Sequence, residues 1–171
     1  MNGGMELYLH MPFCVRKCAY CDFLSFPTDQ ETQNLYTRRL REDIDAMGKK
    51  YGDIPVDTIF IGGGTPSVPD SALIVGIMEH VRKAFHVAEG AEISMEANPG
   101  TVTREKLTDY RRAGINRLSF GLQSANDREL KLLGRIHTWA EFLESFHLAR
   151  ECGFTNINID LMSALPGQTR E

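Results

Sequence analysis

The sequence predicts an α/β protein whose core is a parallel sheet. Five runs rich in β-forming residues alternate with segments that place apolar residues at helical spacing. This alternation favours a parallel sheet, because neighbouring parallel strands need a crossover connection. Such a sheet is either open and doubly wound or curled into a barrel, and both arrangements gather ligands at the carboxyl ends of the strands. Polar residues and glycines follow the predicted strands, so we expect a functional site along that edge.

The first two strand–helix pairs occupy the first half of the chain. Residues 5–10 (MELYLH) are rich in β-formers, and residues 30–49 carry apolar residues at helical spacing. Residues 56–61 (VDTIFI) form an apolar run typical of a buried strand, which three glycines end. Residues 70–85 form an amphipathic helix whose apolar face carries Leu73, Ile74, Ile77, Met78 and Val81.

The alternation continues to the end of the chain. Residues 92–97 (EISMEA) form a strand that an Asn-Pro-Gly turn closes, and residues 103–113 form a helix. The remaining elements are a strand at 116–122, helices at 126–133 and 138–152, and a last strand at 155–161.

Capping residues mark the ends of several helices. Asp70 or Ser71 caps the second helix, and Thr103 caps the third. Gly114 and Gly153 follow the ends of two helices, where glycine readily adopts the left-handed conformation that stops a helix.

Composition and charge exclude several classes of protein. Of the 171 residues, 42% are hydrophobic and 25% are charged, as in an ordinary globular domain. A net charge of −4 offers no basic surface for a phosphate backbone, so we expect no nucleic-acid partner. The longest apolar run, residues 72–78, is far shorter than the ~20 residues of a membrane span. With no signal peptide visible, we expect a cytoplasmic protein without a membrane span.

The length favours an incomplete barrel. A closed (β/α) barrel typically takes about 250 residues, and the last predicted loop, LPGQT at residues 165–169, leads toward another helix. We therefore expect a single domain over residues 1–171, an N-terminal fragment truncated after about five βα units, with the C-terminal remainder absent. Such a fragment would expose an apolar edge strand.

Three of the four cysteines lie close together in the loop after the first strand. Cys14, Cys18 and Cys21 form a C-x3-C-x2-C pattern. Three thiolates can hold a [4Fe–4S] cluster and leave one iron open to another ligand. The alternative is structural zinc with His10 or Asp22 as a fourth ligand, although zinc sites usually show a second Cys or His pair. The spacing favours the cluster and leaves zinc as the alternative.

The cysteine pattern resembles that of the radical S-adenosylmethionine (SAM) superfamily. The run GGGTPS at residues 62–67 is similar to the glycine-rich loop that holds the methionine part of SAM in that family, although a tight turn alone would also explain the glycines. The resemblance implies a partial (β/α) barrel in which backbone without side chains approaches SAM. It also implies that the open iron chelates the amino and carboxylate groups of SAM. An electron from the cluster then cleaves SAM to methionine and a 5′-deoxyadenosyl radical.

Further motifs resemble the HemN/HemW family within that superfamily, from residue 7 onward. They are LYLHMPFC at residues 7–14, EANPG at 96–100, RLSFGLQS at 117–124, LGRIH at 133–137 and DLMSALPGQT at 160–169. The resemblance implies that Cys14, Cys18 and Cys21 bind the cluster. It also implies that SAM is contacted by Tyr8, Tyr20, Gly63, Gly64, Thr65, Glu96, Gln123, Arg135 and Asp160.

Ordinary structural roles are the alternatives for these SAM contacts. They are packing for Tyr8, a surface charge for Glu96, a helix cap for Gln123, a solvated cation for Arg135 and a buried hydrogen-bonded carboxylate for Asp160. In the family interpretation, Glu96 accepts hydrogen bonds from the ammonium or ribose of SAM, and Arg135 pairs with its carboxylate. The position of all these residues near strand ends favours a shared site.

The same resemblance predicts a role in haem or porphyrin metabolism. HemN-type oxidases typically carry a fourth cysteine two positions after the triplet, where this chain has Phe23, and an N-terminal extension that we do not expect here. Both differences favour a HemW-like haem chaperone that binds the cluster and SAM. The alternatives are an oxygen-independent coproporphyrinogen III oxidase, which decarboxylates propionates by radical chemistry, and a zinc-stabilised α/β binding domain.

The expected partners follow from that prediction. They are SAM, haem or a porphyrinogen, an unidentified haem-acceptor protein and an unidentified electron donor. The haem ligand is expected in a C-terminal region outside this chain. No catalytic residue is assigned, and turnover of a substrate is left open.

Overall fold

The computed structural model describes residues 4–169, and every predicted strand and helix is present. The strands are β1 (Met5–Met11), β2 (Val56–Gly63), β3 (Val87–Ala97), β4 (Arg117–Gln123) and β5 (Asn156–Leu161). The helices are α1 (Gln30–Tyr51), α2 (Ser71–Ala84), α3 (Arg104–Arg112), α4 (Asp127–Leu132) and α5 (Trp139–Glu151). Within residues 4–169, no helix is long and apolar enough to cross a membrane.

The five strands form one parallel sheet in the order β1-β2-β3-β4-β5. Each strand is therefore added on the same side of the one before it. Because crossovers between parallel strands are right-handed, this order places the helices on one face of the sheet. A doubly wound sheet would instead reverse its strand order at a switch point. The order therefore confirms the predicted partial barrel and excludes the open doubly wound alternative for the described strands.

The predicted bounds agree with the structure to within about two residues except at the start of β3. This strand begins at Val87 rather than at residue 92. Val87 pairs with Val56, but the next pair is Glu92 with Thr58, so extra residues of β3 bulge out of the ladder. Gly90 lies within this bulge at a φ of +80°. A glycine in this conformation is typical of a bulge. From the sequence alone, a glycine at this position could equally belong to a turn.

The helix caps form as predicted. The Asp70 carboxylate accepts the Ala72 N–H at 2.8 Å, so Asp70 rather than its neighbour caps α2. The Thr103 hydroxyl accepts a backbone N–H in the first turn of α3. Gly114 and Gly153 have φ values of +90° and +88° just past the ends of α3 and α5. The left-handed backbone at these glycines turns the chain into the following strands.

The main core lies between the sheet and the helices. Alternate side chains of each strand point to this side, because side chains alternate between the two faces of a strand. The helix α2 contributes the fully buried residues Ile74, Ile77, Met78 and Val81. They belong to the same cluster as the strand residues Leu9, Met11, Ile59, Ile61, Ile93, Met95, Leu118 and Phe120.

The opposite face of the sheet, here called the inner face, is mainly polar. It carries Glu6, Tyr8 and His10 from β1, Thr58 and Phe60 from β2, Glu92, Ser94 and Glu96 from β3, Arg117, Ser119 and Gln123 from β4, and Asn158 and Asp160 from β5. Among the described strands β5 is an edge, and its Leu161 is 67% exposed. Since both faces of a parallel sheet are usually covered, the polar inner face is typical of the interior of a barrel that holds a ligand.

A half-buried tyrosine, Tyr36, and a fully buried one, Tyr110, allow a matched test of the packing. The Tyr36 hydroxyl donates to the His10 carbonyl at 2.7 Å, whereas the Tyr110 hydroxyl is buried and has no hydrogen-bond partner among residues 4–169. We predict that Tyr36→Phe lowers the free energy of unfolding of the full-length protein by about 1 kcal/mol, because it removes a hydrogen bond. Tyr110→Phe should leave it unchanged or raise it by about 1 kcal/mol, because an unpaired buried hydroxyl is costly. Equilibrium denaturation measures both, and equal losses in the two variants would contradict the assignment.

Candidate functional site

A cleft lies at the carboxyl ends of the strands, between the loop after β1 and the inner face of the sheet. Its empty volume, including the space open to solvent, is about 680 Å³. Every predicted site residue except Tyr8 lines it: Cys14, Cys18, Tyr20, Cys21, Gly63, Gly64, Thr65, Glu96, Gln123, Arg135 and Asp160. The convergence expected from the strand ends is therefore observed.

Tyr8 lies on the inner face of β1, outside the residues that line the cleft. Its ring stacks on Phe60 at a centroid distance of 6.1 Å and is 59% exposed. Its hydroxyl is 3.0 Å from Nδ1 of His10, whose Nε2 is 2.9 Å from the Leu24 carbonyl oxygen. A carbonyl only accepts, so Nε2–H donates to it and Nδ1 of the neutral ring accepts the Tyr8 hydroxyl.

The cysteine loop, residues 12–29, connects β1 to α1 and is closed at its base. The Phe26 N–H donates to the Pro12 carbonyl at 2.9 Å, and the Cys14 N–H donates to the Phe26 carbonyl at 3.2 Å. Phe13 anchors this end because its side chain is fully buried against Tyr36. The two ends of the loop are thereby fixed beside each other at the edge of the sheet.

The tip of the cysteine loop is fixed by the loop between α4 and α5. The Arg16 guanidinium donates to the Gly134 carbonyl at 2.7 Å, and the Ala19 N–H donates to the Leu133 carbonyl at 3.1 Å. A side chain at Gly134 would approach the Ala19 backbone, and φ there is +75°. These contacts give the LGRIH motif a structural role in holding the cysteine loop.

The three thiols of the cysteine loop are free and partly exposed to the cleft. No three His, Cys, Asp or Glu side chains of the described chain already form a metal-binding group. The donor set is nevertheless chemically suited to an iron–sulfur cluster, because three thiols and the cations Arg16 and Lys17 share one cleft. Both ring nitrogens of His10 are engaged in hydrogen bonds, which argues against its predicted alternative role as a fourth zinc ligand.

The glycine run, residues 62–67, lies directly against the cysteine loop. The Gly64 N–H donates to the Met11 carbonyl at 2.8 Å, and the Thr65 N–H donates to the Phe13 carbonyl at 2.6 Å. A Cβ atom at Gly64 would lie 2.6 Å from the Phe13 carbonyl oxygen. Glycine at this position lets the backbone of the glycine run pack closely against the Phe13 backbone. This is a structural role, in addition to the predicted close approach of the same backbone to a ligand.

Two carboxylates on the inner face of the sheet line the same cleft as the thiols. The Glu96 carboxylate accepts the Gly63 N–H at 2.9 Å, and burial raises the pKa of Glu96 above its usual range. The Asp160 carboxylate accepts hydrogen bonds from the Ser119 hydroxyl at 3.2 Å and from the Asn158 amide at 2.7 Å. Both groups are thus oriented by neighbouring strands and remain accessible from the cleft.

Arg135 reaches across the cleft toward β3 and the cysteine loop. Its Nη2 donates to Asn98 Oδ1 at 2.8 Å and to the Gly121 carbonyl, and its Nη1 is 3.7 Å from the Cys18 sulfur. Its Nε is buried and has no partner within residues 4–169. The predicted alternative of a solvated cation is therefore wrong for Arg135. In this structure its guanidinium pairs with protein groups.

Two further residues that line the cleft are unusual, one in its backbone conformation and the other in the pKa of its side chain. Gln123 has a φ of +73°, a conformation that costs non-glycine residues about 1–3 kcal/mol and is concentrated at functional sites. Tyr20 is 40% exposed, and burial of the rest of its side chain raises the pKa of its phenol.

Sequence reasoning did not identify Asn98 as a site residue. It lies at the end of β3, lines the cleft and contacts both Thr65 and Arg135. The Asn-Pro-Gly run is typical of a turn, and this local explanation concealed the role of the side chain. Its position directly after a strand end was the signal that could have identified it.

Comparison with known proteins gives closely related sequences and structures. The HemW haem chaperone of Escherichia coli (strain K12) is 43% identical over 98% of this chain and 44% of the relative. The Bacillus subtilis (strain 168) protein of the same name is 39% identical over 95% of this chain and 43% of the relative. The structure of the E. coli coproporphyrinogen III oxidase HemN superposes with a TM-score of 0.90 and 33% identity, over 99% of this chain and 39% of that one.

The chain spans less than half the length of these relatives. Its residues 8–171 match the family described as the Radical SAM superfamily. That match covers the cysteine triplet, the glycine run and all five strand ends that build the cleft. The chain therefore belongs to the radical SAM superfamily, a family that implies a [4Fe–4S] cluster and SAM as cofactors.

Proposed function

We propose that the chain is the radical SAM core domain, residues 1–171, of a longer HemW-like haem chaperone. The observation that carries this proposal is the 43% identity to a haem chaperone over 98% of the chain. The cleft supports it, because all the predicted cofactor-binding residues except Tyr8 converge there, from the ends of β2 to β5, the cysteine loop and the loop between α4 and α5. The full protein would bind haem and pass it to an acceptor protein in haem metabolism, in the cytoplasm.

We propose that the sulfurs of Cys14, Cys18 and Cys21 hold the [4Fe–4S] cluster. When bound, the cluster supplies an electron to SAM. The SAM contacts would come from the remaining predicted residues, Tyr8, Tyr20, Gly63, Gly64, Thr65, Glu96, Gln123, Arg135 and Asp160. Glu96 is suited to accept hydrogen bonds from the ammonium or the ribose hydroxyls, since one of its oxygens is free of the Gly63 N–H. Haem contacts are expected from the part of the protein outside this chain.

A second candidate function is oxygen-independent oxidation of coproporphyrinogen III. The 0.90 TM-score to HemN favours it. Phe23 stands two positions after the triplet, where the resemblance leads us to expect a cysteine in the oxidases. This difference favours the chaperone. Whether the protein acts as an enzyme depends on which of the two functions is correct.

Haem transfer distinguishes the two functions. We predict that the full-length protein, loaded with cluster and SAM, binds haem stoichiometrically and releases it to an apo-haemoprotein without consuming substrate. Absorbance of the haem Soret band follows binding and transfer. Product analysis with coproporphyrinogen III and a reductant is the parallel assay, and catalytic formation of decarboxylated product would support the oxidase instead.

The cluster ligands are tested by a matched pair of cysteine variants. We predict that Cys18→Ser abolishes the [4Fe–4S] cluster in the anaerobically reconstituted full-length protein. Cys152→Ser is the control and should retain four irons, because Cys152 lies at the end of α5 beside the Arg104 carbonyl, away from the cleft. Iron and labile sulfide analysis measures both, and four irons in the Cys18 variant would refute the assignment. Zinc in place of iron would identify the structural zinc alternative.

The charge of Glu96 is expected to govern SAM binding. We predict that Glu96→Gln weakens SAM binding roughly 10- to 100-fold, since a charge-assisted hydrogen bond contributes about 1.5–3 kcal/mol. In the wild type, affinity should fall as the pH drops through the pKa of Glu96, which burial raises, because protonation removes the negative charge that attracts the ammonium. The SAM-induced change in the EPR spectrum of the reduced cluster measures the affinity. The iron content should stay constant, and a Glu96→Gln variant with the wild-type pH dependence would exclude this role.

A further inference from the structure

Asn98 occupies the centre of a hydrogen-bond network that reaches two of the three thiols. Its Nδ2 donates to the Thr65 hydroxyl oxygen at 2.8 Å, and its Oδ1 accepts from Arg135 Nη2 at 2.8 Å. The Thr65 hydroxyl is 3.7 Å from the Cys14 sulfur, and Arg135 Nη1 is 3.7 Å from the Cys18 sulfur. One amide side chain therefore contacts both groups that approach the sulfurs.

The direction of each hydrogen bond follows from the chemistry of its partners. A guanidinium only donates, so the Asn98 oxygen must face Arg135 and the Asn98 NH2 group must face Thr65. The NH2 group in turn only donates, so the Thr65 hydroxyl accepts it. A cysteine sulfur bound to the cluster carries no proton, so the Thr65 hydroxyl would then donate its single proton to Cys14. Both Thr65 and Arg135 are thereby oriented as donors toward sulfur.

The backbone around Asn98 holds the amide in this position. The Asn98 N–H donates to the Ser67 hydroxyl at 3.2 Å, and its carbonyl accepts the Thr101 hydroxyl at 2.7 Å. Ser67 and Thr101 are themselves 2.5 Å apart between hydroxyl oxygens, and Ser67 is fully buried. Thr65 is also buried, with 3% of its surface exposed. The donors are therefore fixed before any cofactor binds.

We propose that Asn98 is a positioning residue that sets the reduction potential of the cluster through Thr65 and Arg135. This inference rests on the proposed binding of the cluster by the cysteine triplet. Hydrogen bonds to cysteine sulfur stabilise negative charge, and the reduced cluster carries one more electron than the oxidised cluster. The two donors stabilise the reduced form more strongly, so they raise the reduction potential. Loss of either donor lowers it.

The test uses three variants of the full-length, anaerobically reconstituted protein without SAM. Thr65→Val removes one donor at constant side-chain size, Asn98→Leu removes the orienting amide, and the double variant combines them. We expect each single variant to shift the ratio of oxidised to reduced cluster about tenfold at a fixed potential, which is a lowering of about 59 mV for one electron. The double variant should shift less than the sum of the singles, because each single variant disturbs the same Thr65 donor, while Asn98→Leu also disturbs Arg135. EPR-monitored redox titration measures the midpoint.

The matched control is Thr37→Val, which removes another buried threonine hydroxyl, on α1, where it bonds only to its own helix. It should leave the midpoint unchanged. A wild-type midpoint in Thr65→Val or in Asn98→Leu at full iron content would overturn the inference. If Asn98→Leu loses the cluster, the same titration is made on Asn98→Ala, which removes the orienting amide with a smaller side chain, and a wild-type midpoint there would equally overturn the inference. The Cys18→Ser variant tests the cluster binding on which this inference rests. If the cysteine triplet does not hold the cluster, Cys18→Ser retains it, and that failure is distinct from an unchanged midpoint in the Asn98 and Thr65 variants.

Discussion

Two main-chain hydrogen bonds join the glycine run to the end of β1 and to the start of the cysteine loop, and they determine where the cleft forms. They join the N–H groups of Gly64 and Thr65 to the carbonyls of Met11 and Phe13, and the short distances leave no space for a Cβ atom at Gly64. Because both segments continue directly from the paired strands β1 and β2, the register of the sheet sets the position of the cysteine loop. The site is thus an extension of the sheet, and rigid strands position its side chains.

The charged groups of the cleft come from different segments. Arg16 and Lys17 belong to the cysteine loop, Glu96 and Asp160 lie on the inner face of the sheet, and Arg135 contacts both the strand ends and the Cys18 sulfur. Burial raises the pKa of Glu96, so a positively charged ligand beside it would favour its ionised form. A ligand that carries both an ammonium and a carboxylate would therefore meet groups of opposite charge to each within this cleft.

Most of the fold and much of the cleft could be predicted from the sequence, because hydrophobic periodicity and strand-end residues report local structure directly. Alternation alone left two sheet types open, and only the strand order decided between them. The start of β3 was missed because Gly90 produces the same local signal in a bulge as in a turn. Asn98 and the internal pairing of Arg135 were missed because both depend on contacts between segments distant in sequence. No periodic pattern encodes such contacts.

The closed base of the cysteine loop has a consequence for the thermodynamics of metal uptake. Ordering a flexible residue costs about 1–2 kcal/mol of backbone entropy, and a loop that is disordered without metal loses this amount when the metal binds. Here the Pro12–Phe26 and Cys14–Phe26 hydrogen bonds, and the Arg16–Gly134 contact at the tip, already restrict the loop. Part of that entropy is therefore lost when the chain folds. The metal–sulfur bonds therefore contribute more fully to affinity, and release of the metal need not unfold the sheet beneath it.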